Sequence, residues 1–226
     1  MRKALFFIIL LLIATDISAQ DDLEYRMEIG AGVGMVSYEG DFNGNILKDM
    51  QPVASVLLRR DINPYMALRI LGSYGKLKGS SADVKTYYPE LKDGAYTFDN
   101  TLIDLSATYE YNFWPYGTGH DYRGARRLTP YIFIGLGGTC VTGSGKTTAT
   151  ANFPLGVGVK YKLGERLNLN VEWAIHFSLS DELDGVKDPY LIKSSGAFKN
   201  ADCYSALQVM LTYSISPKCR TCNKDD

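Results

Sequence analysis

His176 and Ser178 are separated by one residue, so on a β-strand their side chains share a face. A histidine that takes the proton of a serine hydroxyl prepares it to attack an ester carbonyl, which makes this pair the chain's candidate for nucleophilic catalysis. Other spacings imitate known sites and fail. Gly143-Ser144-Gly145-Lys146-Thr147 resembles a phosphate-binding loop, but Cys140 stands where that loop needs a glycine, and a strand pattern follows in place of a helix. The Gly-x-Gly repeats at 30–34, 135–137 and 156–158 lack the third glycine of a dinucleotide fingerprint and read as strand glycines. Asp41-Phe42-Asn43-Gly44-Asn45 starts like a calcium loop, yet Ile46 and Pro52 occupy the positions that require Gly and Glu. Asp181-Glu182-Leu183-Asp184-Gly185 has the charge to attract divalent cations and reads more simply as a solvated loop. No cofactor, metal or small-molecule substrate is expected.

Cys140, Cys203, Cys219 and Cys222 are too few to form a disulfide framework. Cys219 and Cys222 are the one close pair, either oxidised, partner-bound or two idle thiols. Met1-Arg2-Lys3, the apolar run Ala4–Ala14 and Ile17-Ser18-Ala19 have the three parts of a secretory signal peptide, with cleavage expected after Ala19. The apolar run is shorter than the roughly 20 residues of a membrane helix. Cleavage removes Arg2, Lys3 and Asp16 from 24 basic and 25 acidic residues, leaving a formal charge of −2. That balance argues against nucleic acid as a partner.

The element that carries His176 is the most regular in the chain. Leu167, Leu169, Val171, Trp173, Ile175, Phe177 and Leu179 alternate with polar or small residues, the pattern of a strand with one apolar face. Seven further segments can be counted. Tyr25–Met35, Ile103–Phe113, Phe153–Tyr161 and Leu207–Ile215 keep it well, and Met66–Tyr74 breaks it only at Leu71. The segment 52–60 is ambiguous in phase, and in 130–141 Ile132, Ile134 and Leu136 oppose Tyr131 and Phe133. The fold predicted is all-β: an eight-stranded antiparallel up-and-down transmembrane β-barrel over residues 20–215, between a signal peptide (1–19) and a C-terminal tail (216–226).

The polar faces decide which side meets lipid. They carry Arg26, Glu28, Arg69, Asp104, Glu110, Lys160, Lys162, Glu172 and His176, along with repeated glycines. Eight strands enclose an interior just wide enough to be filled by side chains, so small residues and compensating charges suit the lumen. A charge facing mid-membrane lipid costs roughly 2–4 kcal/mol. Tyr25, Tyr109, Tyr111, Phe113, Tyr161 and Tyr213 recur at one end of the outward face as an interface girdle. Eight-stranded outer-membrane lipid A deacylases are similar in using a His/Ser pair, which makes such an enzyme one alternative. Here His176 and Ser178 fall on the inward face, away from lipid. A soluble lipocalin-like barrel is the other alternative.

Connections alternate in length as outer-membrane barrels require, with short periplasmic turns and longer outer loops. With both termini periplasmic, the outer loops are about 37–51, 77–97, 142–150 and 180–202, and the inner ones about 61–64, 114–128 and 163–166. The long inner connection breaks the rule. Its Trp114, Tyr116, Arg123, Arg126 and Arg127 have the composition of a binding hot spot, the alternative being anchoring at the membrane interface. The tail after Ile215 is polar and lacks apolar periodicity, so it is expected to bind a partner, with Cys219 and Cys222 as candidates.

The stretches Ser37–Gly44, Tyr109–Gly117 and His176–Tyr190, with the Cys219–Cys222 tail, resemble the PorG family of outer-membrane proteins from the Bacteroidetes type IX secretion machinery. The likeness extends over nearly all of the mature chain. It implies an eight-stranded barrel associated with the periplasmic ring of PorK and PorN, supporting export of folded cargo. It also implies contact with outer-membrane lipid and lipopolysaccharide, and it brings no catalytic residues.

Overall fold

A strand with one apolar and one polar face leaves backbone groups unpaired at every edge, and in lipid those groups have no water to satisfy them. The chain solves this by closing the sheet. In the computed structural model, which describes residues 23, 25–39, 49–80, 97–117, 126–143, 146–180, 183 and 202–217, eight strands pair in sequence order as a closed barrel. They are β1 (Tyr25–Glu39), β2 (Gln51–Asn63), β3 (Met66–Ser80), β4 (Thr97–Asn112), β5 (Leu128–Gly143), β6 (Lys146–Lys162), β7 (Leu167–Ser178) and β8 (Cys203–Pro217). Every pairing is antiparallel, and β1 closes onto β8 from Tyr25↔Pro217 to Glu39↔Cys203. The predicted signal peptide and most of the tail lie outside the described residues, but β8 continues two residues past the expected end at 215.

The apolar face is outside. Val33 is 67% exposed and Leu136 is 63% exposed, and the outward side of β4 is apolar from Ile103 to Phe113. That run rises about 34 Å along the strand, or about 26 Å along the axis at a tilt of about 40°. It matches the roughly 25 Å apolar band of a transmembrane barrel. A soluble lipocalin-like barrel would turn these side chains inward, so the inside-out arrangement removes that alternative.

The two uncertain strands are now in phase. In β5, Tyr131 and Phe133 face the lumen while Ile132 and Ile134 face out. They fit because Gly158 and Gly156 lie opposite them on β6: a Cβ at Gly156 would come within 2.3 Å of the Phe133 ring, and one at Gly158 within 2.6 Å of the Tyr131 ring. In β2, Val53, Ser55, Leu57, Arg59 and Asp61 face inward. Leu71, the one breach in the third segment, packs inside with Leu57 and Met210.

The strands are longer than the apolar alternation indicated. β3 continues through Lys76 and Lys78, β4 starts at Thr97, and Asp99 reaches both lysines across the pair, at 3.6 and 3.1 Å. Above the apolar band the sheet still pairs its backbone, but its outward side chains meet water and turn polar, so an apolar criterion misses them. The largest correction is the predicted outer loop 142–150. Gly143 on β5 pairs with Lys146 on β6, so the two strands extend into the sequence that imitates a phosphate loop.

Candidate functional site

Two buried polar layers fill the barrel. The layer nearer the termini centres on Arg59, which the ambiguous phase of its strand had kept off the list of lumen charges. Arg59 Nη1 reaches Glu28 Oε2 at 2.6 Å, and Nη2 donates to Glu110 Oε1 at 3.2 Å. Glu110 also receives Lys160 Nζ at 2.6 Å and Arg69 Nε at 3.2 Å. Arg69 continues to Glu172, whose carboxylate accepts from the Tyr131 hydroxyl at 2.7 Å. The Arg69 guanidinium sits 4.3 Å over the Phe133 ring, and Lys160 Nζ sits 4.6 Å over Tyr131. A buried charge is tolerated only when paired and hydrogen-bonded, and here Glu28, Glu110 and Glu172 are each paired with one or more of Arg59, Arg69 and Lys160.

The second layer lies toward the other mouth. Asp104 Oδ2 accepts from Tyr204 OH at 2.8 Å, Asn152 Nδ2 at 2.5 Å and Thr139 Oγ1 at 3.0 Å. His176 stacks on Tyr204 with centroids 4.5 Å apart, and its Nδ1 lies 3.0 Å from the Tyr204 hydroxyl. Ser178 turns elsewhere: its Oγ donates to Ser180 O at 3.2 Å and accepts from Ser180 N at 3.0 Å. No hydrogen bond joins His176 to Ser178, and both are buried in the lumen. The two side chains therefore have separate partners inside the barrel.

Most of the predicted lumen residues are where parity put them: Glu28, Arg69, Asp104, Glu110, Lys160, Lys162, Glu172 and His176 are all buried. Arg26 is not. It is exposed at the start of β1, beyond the last filled layer, where its charge keeps its hydration. Tyr25 departs from the predicted girdle in the opposite sense. It is buried, with Arg166 Nε donating to its hydroxyl at 2.9 Å. Tyr109, Tyr111, Phe113, Tyr161 and Tyr213 are exposed as expected.

Both mouths are filled. At the mouth away from the termini, Leu183 of the β7–β8 connection is fully buried against Val36, Tyr38, Phe98 and Leu102. Its backbone N–H donates to Asp202 Oδ2 at 2.9 Å, and its carbonyl accepts from Asn100 Nδ2 at 2.9 Å. The motif read as a solvated acidic loop thus holds an apolar anchor. At the termini end Tyr116 is the plug. Its hydroxyl donates to Asn168 Oδ1 at 2.9 Å, and Asn168 Nδ2 donates on to Glu28 Oε1 at 3.1 Å. Burial, with the Glu28 charge nearby, raises the phenol well above its ordinary range, so it remains a donor. Tyr116→Phe is expected to cost about 1 kcal/mol through the lost hydrogen bond, seen as a lower urea midpoint with the fold intact. An unchanged midpoint would show that the bond contributes nothing.

Trp114, Arg126 and Arg127 of the same connection are exposed. Phe113 N donates to Pro130 O at 3.0 Å, Trp114 N to Thr129 Oγ1 at 3.1 Å and Tyr116 N to Pro64 O at 3.0 Å. Tyr116 and Arg126 form a parallel bridge, with Arg126 N donating to Pro115 O at 2.9 Å. On this frame the Arg126 guanidinium stacks 4.6 Å over the exposed Trp114 ring, beside exposed Arg127. The predicted partner residues therefore separate: Trp114, Arg126 and Arg127 are presented at the surface, and Tyr116 is withdrawn into the barrel. Arg123, Cys219 and Cys222 lie outside the described residues.

Among solved structures the chain is similar to Neisserial surface protein A, with a TM-score of 0.51 at 14% identity, covering 84% of this chain and 97% of that one. It is also similar to OprG from Pseudomonas aeruginosa (TM-score 0.47, 11% identity, 87% of this chain and 98% of that chain). A third is Ail of Yersinia pestis (TM-score 0.44, 11% identity, 85% and 100%). At such identities the likeness concerns the fold, that of the eight-stranded outer-membrane β-barrels. No curated protein matches the chain. A family model described as a domain of unknown function, DUF6089, matches residues 2–224, and the chain belongs to that family.

Proposed function

We propose that the protein is a non-enzymatic outer-membrane component of the type IX protein secretion machinery, with both termini periplasmic, that binds the PorK/PorN ring and supports export of folded cargo. The observation that carries this reading is the ordered, exposed Trp114–Arg126 stack at the termini end. Interface hot spots are enriched in Trp and Arg, and the backbone bonds that hold this connection lower the entropy lost on docking. The filled lumen supports a scaffold in preference to a conduit. The orientation is supported by the short connections at 64–65 and 163–166 on the termini side, opposite the longer 40–50, 81–96 and 179–202, and two connections run against it, the long 113–127 on the termini side and the two-residue 144–145 opposite. The sequence resemblance to the PorG family supplies the identity of the partner.

The test is affinity purification of the native protein in mild detergent, with and without reductant, from cells carrying wild type or Trp114→Ala. Wild type is expected to bring down ring proteins. Trp114→Ala is expected to lower their recovery about tenfold or more, as hot-spot truncation costs about 2 kcal/mol, while the barrel still inserts. Equal recovery from both would refute the docking surface.

A further inference from the structure

The outer wall bears one charge inside its apolar band that the structure leaves unexplained. Arg60 lies outward on β2, between Leu58 and Ile62, and is exposed. It pairs with Met27 on β1 and with Leu68 on β3, and Leu68 pairs with Tyr109 on β4. Arg60 thus lies three residues from the termini-side end of β2, as Tyr109 lies three residues from that end of β4, which places it near the aromatic girdle. Among the described residues it has neither a hydrogen bond nor an ion pair. A lone arginine near the membrane interface costs about 0–1 kcal/mol, so it is tolerated, and its five donors are unused among the described residues.

Beside it the wall is hollow. Ala107 lies between Ile70 on β3 and Leu136 on β5, a methyl group flanked by two long side chains. The resulting groove has a volume of about 600 Å³, and Leu58, Tyr109 and Arg60 also line it. That size lies within the range of roughly 300–1,000 Å³ usual for ligand sites. Apolar walls with an exposed arginine among them complement a molecule that is hydrocarbon along its length and anionic at its head.

We propose that this groove binds one glycerophospholipid, with an acyl chain laid over Ala107 between Ile70 and Leu136 and the phosphate held by Arg60. A guanidinium and a phosphate form paired charge-assisted hydrogen bonds, which a bare hydrocarbon or a free phosphate ion could not combine with the apolar contact. The choice of glycerophospholipid over lipid A rests on the proposed periplasmic orientation of the termini end.

The test is native mass spectrometry of the full chain in detergent, after incubation with palmitoyl-oleoyl phosphatidylglycerol. Wild type is expected to retain one lipid per barrel. Arg60→Gln should lower that retention about tenfold, and Arg60→Lys should restore part of it. Ala107→Trp, which fills the groove and leaves the guanidinium in place, should lower it as well. Lys76→Gln, a charge removed at the opposite end of the wall, should leave it unchanged. Equal retention by Arg60→Gln would overturn the proposal, as would equal retention of a diacylglycerol that lacks the phosphate. Displacement by lipid A at equal concentration would overturn the lipid class and count against the orientation, leaving the ring-binding surface to its own assay. A loss of equal size in Lys76→Gln would reduce the effect to general charge and overturn the site.

Discussion

Arg59→Ala is expected to destabilise the barrel by about 3–5 kcal/mol, the cost of breaking a buried ion pair and leaving its partner behind. Glu28 depends on Arg59 most directly. Its remaining partners are Thr212 Oγ1 at 3.0 Å and Asn168 Nδ2 at 3.1 Å, both neutral. Glu110 keeps Lys160 and Arg69 and suffers less. The measurement is a urea titration of the protein folded into lipid vesicles, alongside the shift in gel mobility between unboiled and boiled samples. Arg59→Met with Glu28→Gln should recover much of the loss, because the double change removes the unpaired carboxylate along with its partner. If Arg59→Ala unfolds at the wild-type midpoint, the network contributes no net stability and the lumen is held by packing alone.

Gly135→Val is expected to cost about 3 kcal/mol, the upper part of the range for overpacking. A Cβ at Gly135 would lie 2.0 Å from the Ala107 carbonyl oxygen and 2.7 Å from Thr108 Cα, so backbone on β4 has to move. Thr108 accepts from Arg69 Nε at 3.1 Å, and its displacement therefore reaches the charged layer. Gly72→Ala is the comparison. Its Cβ would meet nothing closer than Val56 Cγ2 at 3.5 Å on the outer wall, and it should be close to neutral. Folded yield from the same vesicle assay separates the two. Comparable yields for both would mean that β4 and β5 tolerate a wider spacing than the geometry indicates.

These two residues show where sequence reading is strong and where it stops. Gly135 was legible as a strand glycine, but its contact with β4 backbone was not. Arg59 was missed because 52–60 has apolar residues in both parities: Val53 and Leu57 face the lumen, while Val56 and Leu58 face lipid. The signal that could have found it is compensation. That signal is visible only once Arg26 is known to be exposed, because on the polar faces Arg26, Arg69, Lys160 and Lys162 already balance Glu28, Asp104, Glu110 and Glu172. Tyr116 and Leu183 were unreadable for a different reason. Both sit in connections, where no periodicity assigns a face, and each is defined by what it plugs.

Alternation along each strand is a local property, set by the two-residue repeat of the extended chain, and it gave the strand number, while the charges carried on the polar faces gave the apolar exterior and the charged interior. Which charges meet was decided by closure. Arg59 with Glu28, Arg69 with Glu172 and Tyr116 with Asn168 join residues on different strands and connections. Their contact depends on the register of every pairing around the barrel and on the tilt that closes it, neither of which any single segment encodes.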